Sequence, residues 1–161
     1  MARFVVVLPL VPLTAGDEFT VADWPLHVTL VEPFQTELSP AAVAEVVGRV
    51  ASRARAGAIR ASGGEEAMFG RHRDVPVTLV EEGGVLTPLR DRALAALGDA
   101  GVDLGRVRTD FRPHVTRKHD RKLRTGEPIV LETVALVDMN PAAGSHHRSV
   151  VAAWRLGEAS V

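Results

Sequence analysis

The stretch PLHVTLVEPF, residues 25–34, places a histidine inside an apolar, β-branched run of the kind that forms a buried strand. Its core, His-Val-Thr, returns in FRPHVTRKH, residues 111–119. A single histidine in a strand is most often a hydrogen-bonded core residue. The second copy of the phrase changes that interpretation, because it indicates two side chains that act together.

Each phrase places a histidine and a threonine on one face of a strand. Side chains alternate between the faces of a β-strand, so His27 and Thr29 point to one side, and His114 and Thr116 do the same in the second phrase. If the two strands lie side by side, two imidazoles and two hydroxyls converge. We therefore expect the histidines on neighbouring strands, roughly 4 to 8 Å apart, within reach of one phosphate.

These side-chain types suit the hydrolysis of a phosphodiester. A neutral histidine can take a proton from water, a protonated one can give a proton to the leaving alkoxide, and hydroxyls can donate to phosphoryl oxygens. The scheme requires neither a metal nor another cofactor. With unperturbed histidine pKa values near 6.5, the rate is expected to be highest around pH 6 to 7.5.

Length and composition limit the classes of protein. A chain of 161 residues has the size of one domain, and a net charge of −1 provides no overall attraction to nucleic acid or anionic membranes. The absence of cysteine excludes thiol nucleophiles and disulfides and fits a reducing cytoplasm, where we expect the protein. The sequence also lacks the Gly-rich loop of nucleotide-triphosphate-driven enzymes.

The N-terminal run MARFVVVLPLVPL imitates a signal peptide, but Pro9 and Pro12 interrupt it and no Ala-x-Ala cleavage signal follows. Residues 4–8 fit a buried first strand instead. No apolar run reaches the roughly 18 residues of a membrane span, so we expect no membrane partner.

Two helices are predicted, over residues 37–57 and 86–101. Each has a capping residue, a proline in its first turn and a glycine at its end. These residues are Ser39, Pro40 and Gly57 in the first helix and Thr87, Pro88 and Gly101 in the second.

Two helices with about seven strands predict an α+β fold. We expect residues 1–161 to form a single domain of two pseudo-symmetric lobes. A tandem repeat is not indicated, because the first phrase precedes its helix and the second follows its helix. The predicted strands are residues 4–8, 26–31, 59–62, 75–82, 111–117, 129–138 and 149–156.

The phrases LHVTLV and FRPHVTR, separated by a little under ninety residues, resemble the paired His-x-Thr-x (HxTx) motifs of the 2H phosphoesterase superfamily. This superfamily includes the bacterial RNA 2′,3′-cyclic phosphodiesterases, also called 2′-5′ RNA ligases. RFVVVLPL and VVAAWRL resemble its first and last strands, and Phe111 and Pro113 precede the second motif as in the family. The resemblance implies a bilobal α+β fold in which two antiparallel sheets form a central cleft, with helices outside and both motifs on its floor.

The resemblance also implies an activity: metal-independent hydrolysis of a 2′,3′-cyclic phosphate, on an RNA end or a nucleotide, or of a related 2′-5′ phosphodiester. Carried over to this chain, His27 and His114 are the catalytic acid and base, in an order left open, and Thr29 and Thr116 bind the phosphate. The expected protein is a cytoplasmic RNA-processing enzyme that acts as a monomer on an RNA end or small cyclic nucleotide, with no cofactor.

Arg117 departs from the motif, because the residue after the second threonine is usually apolar. Its side chain either starts on the face away from His114 or bends into the cleft as a phosphate ligand, so Arg117 is a further candidate substrate-binding residue. The basic residues between Arg112 and Arg124 form either an approach for RNA or a solvated turn.

Two other functions fit the same residues. One is a non-catalytic RNA- or nucleotide-binding relative of the same fold, which would bind without turnover. The other is an α+β interaction domain with structural histidines, in which loss of the histidines would reduce stability rather than activity.

Overall fold

Two helices and nine strands follow one another in residues 1–54, 57–105 and 107–157, the parts of the chain that the structure, a computed structural model, describes. This architecture confirms the predicted α+β class. The elements are β1 (Ala2–Pro9), β2 (Glu18–Thr20), β3 (His27–Thr36), α1 (Pro40–Ser52), β4 (Ile59–Phe69), β5 (Val75–Glu81), α2 (Leu86–Asp99), β6 (His114–Thr116), β7 (Pro128–Leu131), β8 (Thr133–Asp138) and β9 (His147–Arg155).

The strands form one antiparallel sheet in the order β2-β9-β8-β1-β3-β6-β5-β4-β7. The two sheets expected from the resemblance are the two halves of this sheet. They meet where β3 pairs with β6, through the residues Val28 and Val115. The strands that carry the two histidine phrases therefore lie side by side in the middle of the molecule, as predicted.

The main core lies between the helices and one face of the sheet. Val28 and Val115 are fully buried in it, because their alternation turns them toward the helices. A smaller core covers part of the opposite face, in the half of the sheet that contains β1. Its buried members are Val5, Val7, Trp24, Ala135, Val137 and Val150. Since β1 and β8 are buried on both faces, their sequences are continuous apolar runs rather than alternating ones.

The helix boundaries differ from the predicted ones. Ser39 caps α1 as expected, with its hydroxyl accepting from the amide of Ala42, but α1 ends at Ser52 rather than near Gly57, and residues 55 and 56 lie outside the described residues. The predicted cap at Thr87 is wrong. The second helix begins at Leu86, whose amide donates to the carboxylate of Glu82 at 2.8 Å. In the described part of the chain, neither helix has the length and apolar character of a membrane span.

The observed strands also differ from the predicted ones. Residues 129–138 form two strands, because β7 pairs with β4 and β8 pairs with β1 and β9, so the chain crosses from one half of the sheet to the other at Glu132. The strand predicted over residues 111–117 is shortened to His114–Thr116. One reason is Pro113, which has no amide hydrogen to donate to a neighbouring strand. The short strand β2 has no predicted counterpart.

Candidate active site

The four predicted side chains share one face of the sheet, on the side away from the helices. In the register set by the valine pair that joins β3 to β6, His27 lies opposite Thr116 and Thr29 lies opposite His114. Residues opposite each other on neighbouring strands point to the same side. The histidines are therefore diagonal neighbours on the two strands. The Cα atoms of diagonal neighbours are typically about 7 to 8 Å apart.

The two imidazoles are oriented by the same local contact. Nδ1 of His27 lies 2.8 Å from the carbonyl oxygen of Pro25, and Nδ1 of His114 lies 2.8 Å from the carbonyl oxygen of Arg112. A carbonyl only accepts, so Nδ1 carries the hydrogen in both rings. In the neutral rings Nε2 is then free to accept a proton, and in the protonated rings it can donate one.

Different aromatic rings support the two histidines. Trp24, which is 6% exposed, stacks on His27 with ring centroids 4.3 Å apart and an interplanar angle of 26°. Phe69 approaches His114 edge-on, at 4.6 Å and 68°. Trp24 belongs to the smaller core and is covered by other side chains. His27 is thus held against the packed half of the sheet.

Burial favours the neutral form of both histidines. It is the largest cause of the lowering of the His27 pKa to about 4, to which the nearby charges of Lys118 and His114 also contribute, and the hydrogen bond to Pro25 opposes the shift. Burial also lowers the pKa of His114, with further lowering by Arg108 and Arg112. A bound anion between the rings would reverse part of these shifts, since a nearby negative charge stabilises imidazolium.

Lys118 also lies beside the histidines, whereas the sequence indicated only that it belongs to a basic stretch. Its ammonium nitrogen lies 5.5 Å from the centroid of the Trp24 ring that stacks on His27, and its charge lowers the pKa of His27. Partial burial lowers the pKa of Lys118 itself, and the positive charges of Arg148 and Arg121 lower it further. The period-two alternation could have identified it, because positions 114, 116 and 118 point to one side of an extended chain.

Arg117 lies on the other side. Its Nε donates to the carbonyl oxygen of His119 at 2.9 Å, and its side chain lines a small cavity together with Glu66, Thr78 and Lys122. Thr78 is buried on the helix side of the sheet, opposite the histidines. The structure thus separates Arg117 from the converging side chains, and the geometry does not support its predicted role as a substrate-binding residue.

The cations that follow Lys118 in the basic stretch make contacts away from the histidines. Lys122 pairs with Glu66 at 2.6 Å, whereas Arg121 donates to the carbonyl oxygens of Ala22 and Trp24 at 3.5 and 3.4 Å. Together with Arg124 they line a cavity that none of the four motif side chains borders, so these cations do not extend the site of the histidines.

A cavity of about 460 Å³ opens beside His114 and Thr29. Aromatic and charged side chains surround it, among them Phe69, Phe111, Arg73, Arg108, Arg112, Glu32 and Asp110. A larger cavity, of about 720 Å³, lies next to Arg121 and Arg124, and none of the described residues that line it belongs to the four motif side chains. The smaller cavity is the relevant one, because two of the motif side chains, Thr29 and His114, line it. Within the described residues, no three His, Asp or Glu side chains are grouped as metal ligands.

The sequence matches the family model described as the 2′-5′ RNA ligase superfamily over residues 13–143, a span that contains both motifs but neither β1 nor β9. No curated protein matches the chain.

Solved structures share its fold. TT0787 of Thermus thermophilus is 19% identical, with a TM-score of 0.64 over 99% of this chain and 100% of that chain. E. coli LigT complexed with 3′-AMP is 16% identical, with a TM-score of 0.62 over 98% of this chain and 99% of that chain. A crystal structure of a phosphoesterase has the same identity and TM-score, over 98% of this chain and 100% of that chain.

The lowered pKa of His27 predicts a loss of stability in acid. Between about pH 6.5 and pH 4 the unfolded chain binds a proton at this histidine that the folded protein does not, so the free energy of unfolding falls as the pH decreases through this window. The loss from His27 is of the order of 2 to 3 kcal/mol. Urea unfolding at pH 7.5 and at pH 4.5 measures it.

His27→Gln should reduce this acid sensitivity, because glutamine does not titrate. His72→Gln is the control, since His72 is exposed on the loop between β4 and β5. The same dependence of the unfolding free energy on pH in wild type and His27→Gln would contradict the burial of His27 as its cause.

Proposed function

Because the chain belongs to the 2′-5′ RNA ligase superfamily, we propose that it is a phosphodiesterase that hydrolyses a 2′,3′-cyclic phosphate, on an RNA end or a nucleotide, or a related 2′-5′ phosphodiester. The observation that carries this proposal is the convergence of His27, Thr29, His114 and Thr116 across the contact between β3 and β6. The 3′-AMP bound to E. coli LigT supports a nucleotide as the part of the substrate that is recognised.

The reaction is an in-line hydrolysis of the cyclic ester. Nε2 of one neutral histidine takes a proton from water as the water oxygen attacks phosphorus, and the bond from phosphorus to one ribose oxygen breaks. Nε2–H of the other, protonated histidine gives its proton to that oxygen. The product is a phosphomonoester, and the family resemblance suggests a 2′-phosphate. His27 and His114 can perform these opposite transfers because they are diagonal neighbours on β3 and β6 rather than residues directly opposite each other.

The remaining groups stabilise the charge on phosphorus. The hydroxyls of Thr29 and Thr116 lie beside the histidines and can donate to the non-bridging oxygens. Lys118 contributes a positive charge at the His27 end of the site. Its partial burial increases the effect of this charge on a bound phosphate, because the site is less screened than open solvent.

The protein binds the substrate with both histidines mainly neutral near pH 7, since burial lowers both pKa values. The phosphate anion raises these pKa values and favours uptake of one proton by the pair. The complex then holds one neutral and one protonated histidine, which is the combination that the reaction needs.

Replacement of either histidine tests the site. His27→Ala and His114→Ala should each lower the rate by about a hundredfold or more, because each removes one proton transfer. Thr29→Ala and Thr116→Ala should reduce it less, since one phosphate donor is lost and proton transfer remains. The substrates are an RNA oligonucleotide with a 2′,3′-cyclic phosphate end and a cyclic mononucleotide, with products followed by phosphorus NMR and folding checked by circular dichroism.

Two results would reject this function. If both alanine variants retain the full rate, the histidines are not the catalytic pair. If EDTA abolishes turnover and a divalent ion restores it, the metal-free scheme is wrong. Binding of the cyclic end without any turnover by wild type would instead support the non-catalytic relative.

The histidine pKa values also predict the pH dependence of kcat/KM. This quantity reports the free protein, in which the singly protonated pair is most populated below pH 6.5 because both pKa values are lowered. Its maximum should therefore lie on the acid side of the pH 6 to 7.5 range expected for unperturbed histidines. The maximum of kcat should lie at higher pH, because the bound phosphate raises both pKa values. A maximum of kcat/KM above pH 7.5 would contradict this assignment.

Lys118 should contribute to the reaction, whereas Lys122 should not. Lys118→Met keeps a long side chain against Trp24 but removes the charge, and we expect kcat/KM to fall by about tenfold or more. Lys122→Met is the matched control, since Lys122 pairs with Glu66 away from the histidines. Equal effects of the two substitutions on kcat/KM would show that Lys118 acts only through the overall charge.

A further inference from the structure

Arg90, in the second turn of α2, is a buried charge with an unusual set of partners. It is 2% exposed. It donates to the carbonyl oxygens of Leu30 and Arg108 at 2.8 and 2.7 Å and to the two carboxylate oxygens of Glu32 at 2.5 and 3.2 Å. Its guanidinium carbon lies 4.6 Å from the centroid of the Phe111 ring. A buried guanidinium is tolerated only when it is paired in this way.

This side chain fills a gap in the sheet. The pairing between β3 and β6 does not extend beyond the valine pair. On the other side of β3, Val7 lies opposite Thr29 and Val6 lies opposite Val31, so Leu30 is an extra residue without a partner on β1. Arg90 reaches in from the helix side and connects the carbonyl of Leu30, on one side of the gap, to the carbonyl of Arg108, on the other.

Glu32 completes the connection. In addition to Arg90, its carboxylate accepts from the backbone amide of Arg108 at 3.1 Å, and its side chain, 29% exposed, borders the cavity beside His114. The pairing of β3 with β1 shifts register twice between Thr29 and Phe34. Such irregularities redirect side chains next to functional sites, and here Glu32 lies on the cavity.

The segment held by these contacts leads directly into the second motif. Residues 107–113 are neither helix nor strand. The carbonyl of Arg112 accepts the Nδ1 hydrogen of His114, and the side chains of Arg108 and Arg112 border the cavity. The charged groups that act on His114 come from this segment and from β3, namely Arg108, Arg112 and Glu32.

We propose that Arg90 and Glu32 are a positioning pair for His114: they hold residues 107–113 against β3, and so fix both the carbonyl that orients the imidazole and the two arginines at the mouth of the cavity. The proposal rests on the proposed function of the same site. Neither residue touches the reacting atoms in this scheme. They act through the segment that carries the Arg112 carbonyl.

The chemistry of the contact requires arginine. A planar guanidinium can serve a carboxylate and two carbonyls at once, whereas an ammonium is a single point donor on a flexible stem. Lysine at position 90 would retain the charge and leave at least one of these acceptors without its donor. Arg90→Lys is therefore informative, because it changes the geometry of the pair more than its charge.

The test compares Arg90→Lys, Arg90→Met and Glu32→Gln with wild type. Nitrogen-15 NMR of the histidine rings reports the tautomer and pKa of His114 and His27, and steady-state assays give kcat and KM. Lys122→Met and Glu66→Gln are the controls, since they remove the exposed ion pair on the other side of the sheet. If Arg90→Met does not fold, Arg90→Lys and Glu32→Gln still test the positioning role.

In Arg90→Lys and Arg90→Met, the His114 ring should lose its single Nδ1–H tautomer and show a mixture of both, while His27 keeps its own. Displacement of the imidazole by about 1 Å can cost up to a hundredfold in rate, so kcat/KM should fall by about ten- to a hundredfold. Glu32→Gln should lower the pKa of His114, because the Glu32 carboxylate raises it, and leave that of His27 unchanged. The control variants should match wild type in every measurement.

Unchanged tautomer and pKa of His114 in folded Arg90→Lys and Glu32→Gln would overturn the positioning role. Equal shifts of His27 and His114 would do the same, since they would indicate a general loosening of the fold. The NMR signals do not depend on turnover. The absence of phosphodiesterase activity in the wild-type protein would therefore reject the proposed function, but the NMR test of the positioning role would still be valid.

Discussion

The contact between β3 and β6 is the constraint on which the site depends. It is a single pair of fully buried valines, Val28 and Val115, at the only junction between the two halves of the sheet in the part of the chain that the structure describes. Their burial against the helices fixes the register, because a slip of one residue would move an apolar side chain to the open face and a histidine into the core. With this register, both histidines and both threonines necessarily face the same side.

The surroundings of the two histidines differ although their backbone contacts are alike. His27 lies flat on Trp24, against a small core and close to Lys118, whereas His114 lies at the edge of a cavity of aromatic and charged side chains with Phe69 beside it. Burial lowers the pKa of both rings and so prepares neutral imidazoles in the free protein. In the proposed reaction, an anionic substrate would then control their protonation and couple phosphate binding to the acid–base state of the pair.

The end of the ladder between β3 and β6 is as important as the contact itself. Beyond the valine pair, β3 and the segment before β6 are no longer paired, and side chains from both, among them Glu32 and Arg108, border the cavity. The carbonyls of Leu30 and Arg108 in this gap are satisfied by Arg90 from the helix layer. The unpaired backbone is thus accompanied by a buried charge, and the carboxylate of Glu32 compensates that charge.

The sequence by itself determined the two motif strands, the face shared by the histidines and threonines, the two helices and the α+β class, because these features follow from local periodicity and capping. The same alternation would have placed Lys118 beside them. Only the tertiary structure decided that Arg117 and Lys122 point away from the site, and that Arg90 reaches Glu32 across 58 positions of the chain. Long side chains beyond a strand end take their direction from the elements packed around them, and these contacts join residues that no local pattern relates.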